Sequence, residues 1–206
     1  MTRLLDLPWP LRTGRTLLRP VREDDLEPTW DYWRLPEVTR WLPAAPADLE
    51  AHRTRILDPE RTPRTLVVEA DGVVVGEVML RVDDAWAQAE VAEGARDRHA
   101  TLGYVMHPTA GGRGLATEAV RALLAVAFDR VAGLGLHRVS ADLFADNRAS
   151  ARLLERVGMR REAHLVRDAL HRDLGWCDSL AYGVTAEEWT TPLTALARFV
   201  RPSGSA

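Results

Sequence analysis

The residues of this sequence that are best suited to chemistry form a glycine-rich turn just before a long predicted helix. Glycine accepts positive φ angles and lets a ligand approach the backbone closely, because it has no Cβ. The first turn of a helix offers unpaired N–H groups and a partial positive charge. A turn of this kind therefore predicts a phosphate or pyrophosphate site. The residues concerned are Gly111, Gly112, Arg113, Gly114, Leu115, Ala116 and Thr117.

Two common phosphate-binding patterns fit this turn poorly. The P-loop requires a lysine after its glycines, and the chain has no lysine, since all 27 of its basic residues are arginine. The dinucleotide fingerprint G-x-G-x-x-G/A fits only as Gly112-x-Gly114-x-x-Thr117, so its last small residue is missing. A standard P-loop is thereby excluded, and a dinucleotide site is disfavoured. The absence of lysine also excludes Schiff-base chemistry and pyridoxal phosphate attachment.

Composition and charge set the broad class. With 206 residues and 46% hydrophobic content, the chain is long enough for one domain with a sizeable core. Its net charge of −3 gives no electrostatic footprint for nucleic acid. The single cysteine, Cys177, excludes internal disulfides and a cysteine metal cluster and fits a reducing compartment. The six histidines are scattered along the chain, so no metal site is expected.

No targeting or membrane segment is expected. Residues 1–12 contain an acid and two prolines where a signal peptide requires an apolar run. No part of the sequence approaches the roughly 18 consecutive apolar residues of a membrane span. We therefore expect a cytoplasmic protein that has no membrane partner.

Apolar periodicity and turn residues place strands and helices around the glycine turn. Strands are predicted at 16–20, 66–70, 73–82, 101–107, 137–144, 160–170 and 176–184. Helices are predicted from residue 22 onward, at 47–57, at 116–131 with Gly133 and Gly135 as C-cap positions, and at 147–157. Residues 83–99 are expected to form a long loop, 193–200 a packed segment and 202–206 a disordered end. This order is typical of a mixed α/β fold rather than a doubly wound sheet.

The glycine turn resembles the pyrophosphate loop of the GCN5-related N-acetyltransferase (GNAT) superfamily. In that family's pattern Q/R-x-x-G-x-G/A, Gly111 occupies the first position, and Gly114 and Ala116 occupy the two small ones. The string P-x-x-x-G-R-G-L-A-T-E-A at residues 108–119 is similar to the branch that acetylates ribosomal-protein N-termini. Gly111 departs from the pattern and removes one side chain that can help to hold the phosphates. It leaves the backbone N–H groups in place.

The resemblance covers about residues 14–189 and implies an α/β (α+β mixed) GNAT fold. Its central sheet would be mostly antiparallel and splayed between two parallel strands, 101–107 and 138–144, with helices on both faces. Residues 1–206 would form a single domain, with a C-terminal tail at 190–206.

The resemblance also implies how acetyl-CoA would bind. The pantetheine arm would add to the open edge between the splayed strands, and the backbone of Met106 would face the acetyl carbonyl. The backbone N–H groups of residues 112–117 would take the pyrophosphate, so that this loop selects the donor.

A second segment, which begins at Asn147, bears on the leaving thiolate. Asn before a predicted helix is a preferred N-cap, and Asn147 and Ser150 also match the family's N-x-x-S segment. The resemblance implies that Asn147 contacts coenzyme A and that Ser150 is the general acid for the thiolate. A cap that contacts no ligand, and a surface serine without a catalytic role, remain open.

The base that deprotonates the amine is the least defined group. The resemblance points to Asp168, with Glu77 and His107 as alternatives. Glu77 lies in a hairpin strand, where it can simply face solvent, and His107 can be an ordinary loop histidine. A peptide α-amine has a pKa of about 8, so it can also react through ordered water without a dedicated base.

The acceptor site is assigned by resemblance to the region of the first two helices. Trp30, Trp33, Arg34 and Trp41 cluster there and are candidates for lining the acceptor groove. The favoured function is transfer of an acetyl group from acetyl-CoA to a primary amine by direct attack in a ternary complex. Protein N-termini, small polyamines and aminoglycosides are all compatible acceptors, and the resemblance to the ribosomal-protein branch favours a protein N-terminal α-amine. Another donor such as succinyl-CoA, or a non-catalytic CoA-sensing domain, are the alternatives. A homodimer is compatible with this function.

Overall fold

The computed structural model describes residues 3–200, and its centre is one continuous β-sheet. The nine strands of the described residues, numbered in chain order, are β1 (Leu11–Arg12), β2 (Thr16–Pro20), β3 (Thr65–Ala70), β4 (Val73–Asp83), β5 (His99–Met106), β6 (Arg138–Phe144), β7 (Arg160–His171), β8 (Gly175–Thr185) and β9 (Arg198–Phe199). Their order across the sheet is β7-β8-β6-β5-β4-β3-β2-β1-β9. β5 and β6 run parallel, and every other neighbouring pair is antiparallel. The expected mixed, mostly antiparallel sheet is confirmed.

Helices cover both faces of this sheet. Within residues 3–200 they are α1 (Leu26–Trp33), α2 (Pro36–Thr39), α3 (Leu49–Ile56), α4 (Leu115–Phe128), α5 (Arg148–Val157) and α6 (Leu193–Leu196). On β5, Val105 packs with Tyr32 and Trp33 of α1, whereas Tyr104 and Met106 pack against the cluster that contains α4. Because successive strand residues point to opposite faces, α1 and α4 lie on opposite sides of the sheet.

α4 forms the centre of the main core. Its side chains at Val120, Leu123, Leu124 and Ala127 are fully buried, at the spacing of three or four residues that defines one helix face. Full burial of one such leucine stabilises the fold by about 1.5–3 kcal/mol. The helix is therefore held firmly in place, and with it the glycine-rich turn at its N-terminus.

The end of α4 differs from the prediction, because the helix stops at Phe128 and not near Val131. Asp129 Oδ1 accepts hydrogen bonds from the N–H groups of Val131 (2.9 Å) and Ala132 (2.8 Å), which competes with further helical hydrogen bonds. Val131 is 97% exposed. Gly133 is not a C-cap: a Cβ there would lie 2.1 Å from the Val126 carbonyl oxygen, so this glycine permits the chain to return closely past α4.

Several short elements were not predicted from the sequence, because they form only through contacts with residues that are distant along the chain. α2, β1 and β9 are two to four residues long, too short for a periodic pattern. β9 pairs with β1 through Leu11 and Phe199, at opposite ends of the chain. The segment predicted to be packed at 193–200 contains α6 and β9, and residues 202–206, predicted to be disordered, lie outside the described residues.

The other predicted elements lie close to their predicted positions. The second predicted helix is α3, and Asp48 caps it by accepting a hydrogen bond from the Ala51 N–H at 2.8 Å. The predicted loop at 83–99 contains one 3-10 segment, Ala89–Ala95. Within residues 3–200, none of the helices has the length and apolarity that crossing a membrane requires.

Candidate active site

The two parallel strands part partway along their length. β5 and β6 pair only through His99–Thr101 and Arg138–Ser140. β5 continues beside β4 to Met106, and β6 continues beside β8 to Phe144. From Leu102 onward, β5 therefore presents an edge that is not paired with β6, to which an extended ligand can add as a further strand.

The direction of the Met106 N–H follows from its neighbour. The His107 N–H donates to the Val75 carbonyl oxygen at 2.9 Å, so it points towards β4. Along a strand, successive N–H groups point to opposite edges. The N–H of Met106 therefore points into the gap between β5 and β6, where it can donate to a carbonyl oxygen.

The glycine-rich turn lies directly beyond this gap. A 3-10 turn, Pro108–Ala110, links β5 to it, and α4 begins at Leu115 with Gly114 as its N-cap. Gly112 and Gly114 have φ angles of 72° and 76°, a left-handed conformation that is costly for residues with a Cβ. No side chain of the described residues caps α4, so its first N–H groups face outward and are suited to an anion.

Two arginines that lie far from the turn in sequence flank it in space. Arg15 Nη1 donates to the Arg113 carbonyl at 2.7 Å, and Arg156 Nη1 of α5 lies 3.4 Å from Thr117 Oγ1. Both guanidinium groups add positive charge at a position suited to phosphate. Sequence reasoning missed them, because no local pattern links residues 15 and 156 to the turn.

Glu118, in the first turn of α4, fixes Arg15 in this position. Its carboxylate accepts hydrogen bonds from Thr13 Oγ1 (2.5 Å), the Arg15 N–H (2.6 Å) and Arg15 Nε (2.7 Å). Burial disfavours its charge, but the hydrogen bonds from Thr13 and Arg15 outweigh this effect and lower the pKa of Glu118. The turn between β1 and β2 is thereby tied to the N-terminus of α4.

Asn147 caps α5, and Ser150 faces β5. Asn147 Oδ1 accepts a hydrogen bond from the Ser150 N–H at 3.2 Å. Ser150 Oγ lies 2.5 Å from the hydroxyl of Tyr104, which is 3.3 Å from the Ser150 carbonyl oxygen. Burial raises the pKa of Tyr104 to about 12, although the hydrogen bond with Ser150 acts in the opposite direction. Tyr104 was not predicted to belong to the site.

Asp168 lies in an irregular part of β7, where the register shifts between Leu165 and Ala169. Its carboxylate is exposed and accepts a hydrogen bond from Ser179 Oγ at 2.8 Å. Ser179 pairs with Phe144, the last residue of β6. Asp168, the predicted base, therefore contacts a residue of β8 whose partner is the last residue of β6.

The bulge around Asp168 is held by a second carboxylate. Asp178 accepts hydrogen bonds from the Arg167 N–H (2.9 Å) and from His164 Nε2 (2.6 Å). These two bonds, that from the Arg167 backbone first, lower the pKa of Asp178. Arg167 has a φ of 50°, and this left-handed turn separates Asp168 from the regular strand before it.

Glu77 does not face solvent, contrary to one interpretation of the sequence. It is 1% exposed, and its carboxylate accepts a hydrogen bond from Trp33 Nε1 at 2.5 Å. Tyr32 Oη lies 3.4 Å and Arg61 Nη2 3.6 Å from this carboxylate. The sequence pattern was misleading because α1 covers this face of β4, a contact that alternation along one strand cannot reveal.

Two more ionisable groups pack against Trp33, whose Nε1 donates to this carboxylate. The Arg55 guanidinium lies 3.2 Å from the centre of the Trp33 ring, and burial lowers the pKa of Arg55 to about 10. Burial, aided by Arg55 and Arg61, lowers the pKa of His52 to about 4, so this histidine is neutral at pH 7. Glu77 lies on the strand next to the end of β5, since it pairs with Val105 and the preceding Gly76 pairs with Met106.

His107, the other alternative base, follows β5 directly. Its Nδ1 accepts a hydrogen bond from the Thr109 N–H at 3.1 Å, and its ring lies edge-on to Tyr32 at 6.0 Å. An open cavity of about 390 Å³ adjoins His107 and is also lined by Glu27, Asp31 and Val75. His107 is thus one of the residues that line this cavity.

The four predicted acceptor residues lie in different surroundings. Trp33, the last residue of α1, is buried, Trp30 packs against the His52 ring at 5.5 Å, and Arg34 is exposed beside Asp31. Trp41 instead contacts the end of β6. Its ring lies 5.9 Å from that of Phe144 and 5.2 Å from that of His171.

Metal ligands do not cluster in this region. Among residues 3–200, no group of three or more His, Cys, Asp or Glu side chains is arranged to hold a metal ion.

Comparison with known proteins agrees with this geometry. A family model described as "Acetyltransferase (GNAT) domain" matches residues 15–160. The chain belongs to this GNAT family. It is an acyltransferase of the N-acetyltransferase type.

Three relatives illustrate the similarity. The uncharacterized N-acetyltransferase YnaD of Bacillus subtilis is 32% identical over 88 residues, which cover 43% of this chain and 49% of that protein. The uncharacterized N-acetyltransferase p20 of Bacillus licheniformis is 28% identical over 77% of this chain and 85% of its own. The structure of Mycobacterium smegmatis RimJ in complex with CoA-disulfide has a TM-score of 0.70 and 27% identity, over 96% of this chain and 98% of that one. The GNAT fold is thus confirmed, and RimJ is among the solved structures that this chain resembles.

Proposed function

We propose that this GNAT enzyme transfers an acetyl group from acetyl-CoA directly to a primary amine. The observation that carries the proposal is the gap between β5 and β6, whose unpaired edge leads straight to the glycine-rich turn at the start of α4. The M. smegmatis RimJ structure contains a CoA compound, and this chain aligns with almost all of that protein.

The residues present fit acetyl-CoA. The N–H groups of residues 112–117 take the pyrophosphate, with the charges of Arg15 and Arg156 beside them. The glycine at position 111 lacks the family's polar side chain, and these two arginines, of which Arg15 is also paired with Glu118, provide hydrogen-bond donors from elsewhere in the fold. The pantetheine arm extends along β5 and brings the acyl carbonyl to the N–H of Met106, and Asn147 at the start of α5 adjoins the arm.

The proposed chemistry needs four contributions. The neutral amine attacks the thioester carbon, and the N–H of Met106 stabilises the negative charge that develops on the oxygen. As the C–N bond forms, the amine nitrogen loses a proton to a base, for which Asp168 is the first candidate and Glu77 and His107 are the others. The C–S bond then breaks, and the sulfur takes the proton of Ser150.

The proposed acceptor is the α-amine of a protein N-terminus. This choice rests on the sequence similarity of residues 108–119 to enzymes that acetylate ribosomal-protein N-termini. Trp30, Trp33, Arg34 and Trp41 are proposed to shape its binding site, with Trp41 beside the end of β6. A peptide α-amine is partly neutral at pH 7–8, which reduces the demand on the base.

The experiment combines the purified protein with acetyl-CoA and a panel of amines that contains N-terminal peptides, polyamines and aminoglycosides. Release of free CoA thiol, together with a mass increase of the acceptor, supports the proposal. Cys177 is the only thiol of the chain, so a reaction without acceptor supplies the blank. CoA binding by calorimetry without thiol release from any amine would instead indicate a sensing domain, and faster release from succinyl-CoA would change the donor.

A further inference from the structure

We infer that Tyr104 is a positioning residue for the leaving-group step: its hydroxyl donates to Ser150 Oγ and so directs the Ser150 proton towards the sulfur of bound CoA. The inference rests on the proposed function, in which Ser150 protonates that sulfur. It concerns a residue of β5 for which the sequence offered no role.

The position of Tyr104 brings two structural elements together at the gap. Tyr104 lies three residues beyond Thr101, the last residue of β5 that pairs with β6. Its side chain packs on the face that carries α4 and α5. There its hydroxyl meets Ser150, which lies in the first turn of α5 and is held by the Asn147 cap. The contact between the two hydroxyls thus bridges β5 and α5 where the pair of strands has opened.

The direction of this hydrogen bond decides what Ser150 can do. A hydroxyl carries one proton, and its oxygen can accept another hydrogen bond. Tyr104 Oη lies 2.5 Å from Ser150 Oγ and 3.3 Å from the Ser150 carbonyl, so the shorter contact is to Oγ. Burial keeps the phenol protonated at neutral pH, since it raises the pKa of Tyr104 to about 12. Because a phenol is a stronger hydrogen-bond donor than an aliphatic alcohol, we assign Tyr104 as the donor, which leaves the proton of Ser150 for another acceptor.

Without the hydrogen bond from Tyr104, the Ser150 hydroxyl can donate its proton to a backbone carbonyl of the same helix. Serine in the first turns of a helix commonly donates to the carbonyl three or four residues earlier. A donor on Oγ restricts the rotation of the hydroxyl and favours an outward proton. When the C–S bond breaks, the S–H bond forms as the Ser150 O–H bond breaks. The hydrogen bond from Tyr104 stabilises the negative charge on Oγ until Ser150 regains a proton from water.

The substitution Tyr104→Phe tests this role, because it removes only the hydroxyl. Loss of a hydrogen bond to a developing charge predicts a fall in kcat of roughly tenfold or more. The KM for acetyl-CoA is expected to stay within about twofold, since the interaction counts mainly in the transition state. In a Ser150→Ala background, Tyr104→Phe should have no further effect on kcat, because the hydroxyl has lost the group that it orients.

A matched control is available on the same helix. Tyr182 of β8 donates to Glu155 Oε1 of α5 at 3.0 Å, so Tyr182→Phe also removes a buried phenol hydroxyl that binds α5. This variant should keep the kcat of the wild type. An equal loss of kcat in both phenylalanine variants would show that the docking of α5 matters, and would overturn the specific role of Tyr104.

A binding measurement separates this inference from the proposed function. The wild type should bind CoA more tightly than desulfo-CoA, which lacks the thiol, and Tyr104→Phe should reduce that preference. Wild-type protein that binds no CoA at all would overturn the proposed function and the inference with it. CoA binding with the same preference in both proteins, or additive losses of kcat in the double variant, would overturn the inference alone.

Discussion

Single residues of the candidate site acquire their roles from neighbours that are distant in sequence. Ser150 matches the family's N-x-x-S segment, but only the fold brings it into contact with Tyr104. Glu77 and Asp168 are both candidate bases, yet Glu77 is buried beneath Trp33 and Asp168 is exposed. Their different environments predict different consequences of substitution.

Asp168→Asn is expected to lower kcat/KM by about 100-fold or more at pH 7 if this carboxylate is the general base. The melting temperature should change little, because Asp168 is exposed and the amide oxygen can still accept from Ser179. Steady-state thiol release and a thermal melt measure the two effects. Asp173→Asn, an exposed carboxylate near the end of the same hairpin, is the control, and a wild-type rate for Asp168→Asn would exclude it as the base.

Glu77→Gln should instead lower stability. The neutral amide leaves Arg61 without its buried partner charge and weakens the hydrogen bond from Trp33, at a cost of about 1–3 kcal/mol in the free energy of unfolding. Urea unfolding measures this cost. A variant as stable as the wild type would show that the carboxylate charge at this position serves no structural purpose.

At the scale of elements, the start of α4 carries the proposed donor site, and two structural features fix the geometry of this site. The first is the left-handed backbone at Gly112 and Gly114. The second is the link from Glu118 to Thr13 and Arg15, which fastens the turn between β1 and β2 to the helix. The glycines set the backbone conformation of the turn, and the Glu118 link places the Arg15 guanidinium beside it.

Gly114→Ala is expected to weaken CoA binding by about tenfold or more. A left-handed alanine costs roughly 1–2 kcal/mol, so the backbone at the N-cap will shift away from the geometry that presents its N–H groups. A Cβ would also lie 3.4 Å from Arg15 Nη2. Calorimetric titration with CoA measures the loss. Gly94→Ala serves as the control, because Gly94 lies in open space without a positive φ, and equal affinities of both variants would contradict the assignment of the turn.

The Glu118 link should depend on pH. Since the folded-state pKa of Glu118 is lowered, its stabilising effect is complete at neutral pH and is lost as the pH falls through that pKa. Glu118→Gln should therefore be less stable than the wild type by about 1–3 kcal/mol at pH 7, and the difference should shrink in acid. Unfolding at several pH values, with the exposed Glu90→Gln as a reference, measures the trend. A difference that does not vary with pH would speak against the ionised link.

For the molecule as a whole, the described end of the chain completes the sheet. β9 pairs with β1, and the Phe199 ring lies edge-on to Trp9 at 5.5 Å. This contact lies far from the gap in strand order, because four strands separate β9 from β5. Stability and catalysis should therefore respond independently to substitutions here.

Phe199→Ala is expected to lower the free energy of unfolding by about 1–3 kcal/mol while kcat stays unchanged. The ring packs against the core beside Trp9, and its removal leaves a partly filled space. Val131→Ala, at a side chain that is 97% exposed, should change stability by less than about 0.5 kcal/mol. A loss of kcat in Phe199→Ala would show that the tail also acts on the site.

Local patterns in the sequence were sufficient for the longer elements, the glycine-rich turn and the Asn147 cap. Each depends on residues within a few positions of one another: apolar periodicity, glycine at positive φ, or a side chain that caps its own helix. For the same reason the order of elements, and with it the resemblance to the GNAT fold, was visible before the structure.

Only the tertiary structure decided which distant side chains meet. The opening between β5 and β6, the bridge from Tyr104 to Ser150, and the placement of Arg15 and Arg156 beside the turn all join residues that are 39 or more positions apart. So does the burial of Glu77 beneath α1. Such contacts depend on how elements pack, because one strand or helix pattern shows which face is apolar but not what will cover it.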